Sequence, residues 1–220
     1  MRALIGCEYS GVVRDEFSKL GWDAWSCDIL PTESELTKQE GKHYQCDIFE
    51  VLYQDWDLLI AHPPCKYLSF VGTFHWNEPG RTQRRLEALD FFAKLWEADI
   101  HHICLENPKS CASPVIAKYT QQIQPYYFGD PYLKTTWLWL KNLPKLKYSN
   151  ENTLFEQKTG VEPIGYWVNS SSNYKIKRFV PDKEIKGKNS AKERAKSFPG
   201  IAHAMAEQWT EYFKNSNIWK

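Results

Sequence analysis

The stretch DLLIAHPPCKYLS, residues 57–69, drives an apolar strand into two consecutive prolines. Proline has no N–H to give to a ladder, so the strand has to stop there, and Cys65 is left on a stiff loop at its carboxyl end. A second apolar run, IHHICLENP (100–108), also ends on a proline, and a first, RALIG (2–6), gives way to the loop CEYSG. Helix-period segments lie between these runs. In 9–22, Val12, Val13, Phe17 and Leu20 fall on one side; in 81–99, Leu86, Leu89, Phe92, Leu95 and Trp96 do the same. DAWSCDI (23–29) reads as another strand, and YQCDIFEVL (44–52) as a strand ending in a short turn. Strands alternating with helices predict an α/β fold, a doubly wound and mostly parallel sheet with crossover helices. In such sheets ligands bind outside the carboxyl ends of the strands.

Beyond about residue 140 the alternation fades. The segment 142–173 is loop-rich, with prolines and a serine run, and 174–197 carries nine Lys or Arg against three acids. The net charge of +1 for all 220 residues therefore hides a basic segment of about +6. IAHAMAEQWTEYF (201–213) predicts a closing helix. The expected organisation is an α/β core over 1–144, a short basic region over 145–195, and a helix within 196–220 that returns to the core. The six cysteines form no CxxC pair, and Met1-Arg2 leads straight into a strand, so reduced thiols in a cytoplasmic protein are expected. No apolar run approaches the roughly twenty residues of a membrane span. HHIC (101–104) offers no second pair of ligands, and no metal is expected.

The chemistry-bearing residues gather after strands: GCEYSG (6–11), HPPC (62–65), ENP (106–108), and the acids Asp28 and Asp47. A small-residue loop followed by a carboxylate after the second strand suits a nucleoside cofactor, the acid accepting from ribose hydroxyls. The dinucleotide spacing GxGxxG is missing, which argues against NAD.

Taken in order, CEYSGVVRDEFSKLGWDAWSCDI, HPPCKYLS and ICLENP resemble three motifs of the DNA cytosine 5-methyltransferases. They match that family's S-adenosylmethionine loop, its Pro-Cys loop and its Glu-Asn motif, across residues 1–110. The resemblance implies that S-adenosylmethionine is held by Tyr9, Ser10, Gly11, Val12, Asp28, Ile29, Asp47 and Ile48. It implies that Cys65, after Pro64, is the nucleophile, that Glu106 hydrogen-bonds the ring nitrogen and amino group, and that Asn107 braces the Pro-Cys loop. Carbon 5 of cytosine becomes nucleophilic once a thiolate adds at carbon 6, and a glutamate that donates to the ring has to hold a proton. Burial is therefore expected to raise the pKa of Glu106.

DNA contacts are expected from Ser69, Lys134, Thr136, Lys175, Lys177, Arg178, Lys186 and Lys188. YLKTTWLWLKNLP (132–144) lacks the family's Gln-x-Arg-x-Arg pattern, and PGIAHAMAEQW (199–209) lacks its Gly-Asn-Ala-Val. About fifty residues stand where the family has a larger recognition domain, a compactness similar to that of enzymes encoded by phages. The expected function is methyl transfer to carbon 5 of cytosine in DNA. Two rivals are methylation of another pyrimidine (free nucleotide, RNA or modified base) and a catalytically silent DNA-binding relative.

Overall fold

The computed structural model describes residues 1–149, 151–152, 157–169, 175–179 and 195–216, the backbone alone for 166–169 and 175–179. Seven strands form one sheet: β1 (Arg2–Gly6), β2 (Asp23–Cys27), β3 (His43–Tyr44), β4 (Leu58–Ala61), β5 (His102–Pro108), β6 (Gln121–Ile123) and β7 (Thr136–Lys141). Their order is β3-β2-β1-β4-β5-β7-β6. The first five are parallel, and β7 runs antiparallel to both β5 and β6. The expected doubly wound, mostly parallel α/β sheet is the one observed.

Both faces are covered, which is why the runs ALIG of β1 and LLIA of β4 are apolar at consecutive positions rather than at alternate ones. All four residues of β4 are buried. On one face, Ala3, Ile5, Leu58, Ile60 and Cys104 pack against α1 (Val12–Lys19) and the C-terminal helix, α5 (Pro199–Asn215). On the other, Leu4, Leu59, Ile103 and Leu105 pack against α3 (Arg81–Trp96) through Phe92 and Leu95. Two smaller helices, α2 (Glu35–Glu40) and α4 (Ala112–Val115), lie in connections. α5 is tied in by polar contacts as well. Trp22 Nε1 donates to Thr210 Oγ1 at 2.8 Å, and Trp209 Nε1 donates to the Pro144 carbonyl at 3.0 Å. No helix among the described residues is long and apolar enough to cross a membrane.

Three expectations change. The strand expected in 44–52 is shorter than the sequence suggested, ending at Tyr44, and the turn expected after it is a 3-10 turn over Ile48–Glu50, which Asp47 caps in a reciprocal capping box with Glu50. Side-chain capping here outcompetes the ladder. Leu86 is 56% exposed, and the buried residues of α3, Phe92 and Leu95, lie in its second half. The region expected to be loop also holds a two-stranded antiparallel sheet, β8 (Gly165–Asn169) with β9 (Lys175–Phe179).

Candidate active site

Register brings the loops together. Gly6 is the partner of both Cys27 and Ala61, and Ala61 is the partner of Leu105. The residues that follow each of these therefore emerge along one edge. β1 lies between β2 and β4, so the order reverses beside it, and the crevice at that switch point is where open α/β sheets take ligands.

The loop after β1 is built around Glu8, a residue the sequence did not single out. Its buried carboxylate accepts from the amides of Val13 (2.7 Å) and Arg14 (3.2 Å), capping α1. Burial pushes Glu8 up, and His62 and the two amides pull the other way. Gly11 starts the helix at φ 75°, where a Cβ would stand 2.4 Å from that of Ser34. Only glycine fits both that backbone and that neighbour. Ser10 Oγ lies 3.4 Å from Glu8 Oε1, Val12 is the first residue of α1, and Tyr9 is buried. Asp28 accepts from the Leu30 amide at 2.9 Å, and burial raises its pKa. Burial and the nearby carboxylates of Asp28 and Asp47 push the Cys7 thiol up to about 12. Ile29 is 73% exposed at the same edge, whereas Ile48 is core, packed against Gly6.

Cys65 is exposed, on a 3-10 turn over Cys65–Tyr67 with Pro64 preceding it. The buried side chain of Asn107 donates to the Pro63 carbonyl at 2.7 Å, tying the end of β5 to the Pro-Cys loop. The Phe70 amide donates to the Lys109 carbonyl and the Cys111 amide to that of Leu68, both at 2.9 Å. Ser69 is buried, and its hydroxyl accepts from the Val71 amide at 3.2 Å, so it shapes this loop from within.

Glu106 meets a partner the sequence did not reveal. His62 Nδ1 lies 3.1 Å from Glu106 Oε2, and His62 Nε2 lies 3.5 Å from Ser197 Oγ. Burial acts to raise Glu106, but His62, Lys134 and Thr136 outweigh it and hold the carboxyl below the usual carboxylate range. The expectation of a raised pKa is thus corrected. Burial acts to lower His62, but Glu106 and Glu8 outweigh it and raise the imidazole. The charged pair persists between the lowered value of the acid and the raised value of the base. Lys134, buried Thr136, Lys196 and Phe198 line the same cavity, whose volume is about 20 Å³. That is room for one water.

A basic and aromatic surface adjoins Cys65. Lys66, Arg81 and Arg84 lie 4.6–5.8 Å from the centre of the Tyr67 ring, and the Arg85 guanidinium lies 4.1 Å from that of Trp76. Phe74 is 93% and Val71 86% exposed beside them. Lys175, Lys177 and Arg178 fall on β9, and Lys186 and Lys188 lie outside the described residues. Among the described residues, no cluster of three or more His, Cys, Asp or Glu side chains could hold a metal.

No protein-family model matches the chain, and no curated protein sequence does. Solved structures do match. One is the Entamoeba histolytica methyltransferase EhMeth, at a TM-score of 0.47 and 14% identity, over 74% of this chain and 58% of that one. The chain thus spans less than two thirds of that methyltransferase.

Proposed function

We propose that the protein transfers a methyl group from S-adenosylmethionine to carbon 5 of cytosine in DNA, with Cys65 as the attacking thiol. One observation carries the reading. Asn107 fastens the Pro63 carbonyl of the Cys65 loop to the end of β5, the strand that carries Glu106, which supports a thiol and a carboxyl acting at one crevice. Thiolate addition at carbon 6 sends an electron pair into the ring, and Glu106, once it carries a proton, would donate it to the ring nitrogen where the charge develops. Once carbon 5 carried the methyl, loss of its proton to solvent water and expulsion of the thiolate would restore the ring and release Cys65. A cytosine in duplex DNA reaches such a site by leaving the stack.

The residues present suit this cofactor. In dinucleotide folds the pyrophosphate sits at the N-terminus of the first helix, and here Glu8 already caps that position. Carboxylates at 8, 28 and 47 instead favour a cationic nucleoside. Asp28 would hold the ribose, the 9–12 loop would close over the cofactor, and the group would supply an electrophilic methyl. Replacing Asp28 with alanine is expected to weaken cofactor binding about ten- to a hundred-fold, the roughly 1.5–3 kcal/mol of a charged hydrogen bond. Isothermal calorimetry checks this, and an unchanged affinity would remove Asp28 from the pocket.

The surface around Tyr67 and Trp76 supports a nucleic acid over a free nucleotide, since cations interleaved with aromatics suit phosphates and stacked bases. Replacing Lys66 and Arg84 with alanine is expected to weaken binding to unrelated DNA sequences alike and to flatten the salt dependence by about two units of slope. Fluorescence anisotropy across a salt series measures both quantities. Replacing Lys175, Lys177 and Arg178 in parallel shows whether β9 contributes as well. Wild-type affinity at every salt concentration in both variants would favour a free nucleotide substrate.

A further inference from the structure

Glu106 is held as a carboxylate, yet the reaction proposed above needs it to donate a proton to the ring. His62 is within reach as a source, since its Nδ1 lies 3.1 Å from Glu106 Oε2. We propose, resting on that functional reading, that His62 is a positioning residue that holds the proton Glu106 presents to the pyrimidine. The pair carries one proton in two arrangements. At rest it sits on the imidazole. In the working arrangement the Nδ1–H bond breaks, an O–H bond forms on Glu106, and neutral imidazole remains. The acid gives that proton to the ring nitrogen as the thiolate's electron pair enters at carbon 6. When the thiolate is expelled the ring nitrogen returns the proton to Glu106, and His62 recovers it. No proton is consumed by the pair over the cycle.

The surroundings fit a proton held rather than a fixed structural bridge. Glu8, on the loop after β1, stabilises the charged imidazole, while Lys134, ahead of β7, opposes it. Lys196, on the segment entering α5, lines the same cavity but is paired with Glu33 at 2.9 Å. Ser197 lies on the far nitrogen of His62 at 3.5 Å, so the ring is contacted at both ends and its Nδ1 is directed at Glu106. Lys134 and Thr136 add to the pull of His62 that lowers Glu106.

The sign follows. Removing the shared proton leaves two bases and no acid, so kcat/KM falls as pH rises through the raised value of His62. Glutamine at 62 keeps a donor for the carboxylate but holds no titrating proton. In His62→Gln the falling limb is expected to move at least one pH unit lower, with kcat reduced and cofactor affinity unchanged. A purely structural role would lower the rate without moving the limb. The test has two parts on the full chain. Histidine carbon-13 NMR of the wild type and of Glu106→Gln measures whether His62 loses its raised pKa when the carboxylate is removed, a readout independent of turnover. The pH profile of methyl transfer to DNA is then compared between wild type and His62→Gln, with thermal unfolding of each as the folding control. A lower His62 pKa in Glu106→Gln together with a displaced limb supports the proposal. An unchanged His62 pKa or an unmoved limb overturns it. Failure of the functional reading shows separately, as a wild-type protein that methylates no DNA.

Discussion

Replacing Cys65 with serine is expected to reduce methyl transfer by at least about three orders of magnitude, the scale seen when a covalent nucleophile is removed. A serine hydroxyl is scarcely ionised near neutral pH, so addition at carbon 6 fails at its first step. Cys65 is exposed and contributes no core packing, and the loop that carries it is fastened by Asn107, Lys109 and Leu68. Thermal unfolding and calorimetric cofactor affinity should therefore match the wild type. A labelled-methyl assay gives the rate, and turnover within tenfold of wild type would end the thiol mechanism.

The second large effect concerns stability. Trp209 is fully buried on α5, among Trp22, Met205 and Phe213 on the α1 face of the sheet, and its indole N–H satisfies the Pro144 carbonyl. Trp209→Ala opens a cavity and orphans that carbonyl, at a cost of about 3–5 kcal/mol. For a chain of this size the loss corresponds to a Tm lower by roughly 6–20 °C. Urea unfolding followed by circular dichroism measures it. A loss below about 1 kcal/mol would mean that the C-terminal helix is not part of the folding core.

Much of the site was legible because its strands announce their own ends. β1 and β4 carry the continuous apolar runs ALIG and LLIA, β5 carries ICL ahead of Glu106 and Asn107, and Gly6, Pro63 and Pro108 mark where each yields to a loop. Parallel register then aligns those ends without further information. The turn after β3 was legible as a turn, and the capping pattern Asp-x-x-Glu at Asp47 marks where it begins. Leu86 obeys helical periodicity yet faces solvent, since periodicity defines a face but not how far the sheet extends beneath it.

His62 was hidden for a different reason. Its partner lies 44 residues away, and the charge of Glu106 is set by groups from several separate segments. Burial alone predicted the wrong direction because the paired histidine could not be read from spacing. Arg81, Arg84 and Arg85 share a helical face above Tyr67 and Trp76, a local pattern overshadowed by the larger charge of 174–197.

The most direct test of the central claim is the chemical identity of the product. Wild-type protein, incubated with tritiated S-adenosylmethionine and DNA of mixed sequence and then digested to nucleosides, should yield label that co-migrates with 5-methyldeoxycytidine, and Cys65→Ser should yield none. Label in any other nucleoside, or no label in DNA while free nucleotides or RNA become methylated, would contradict the account.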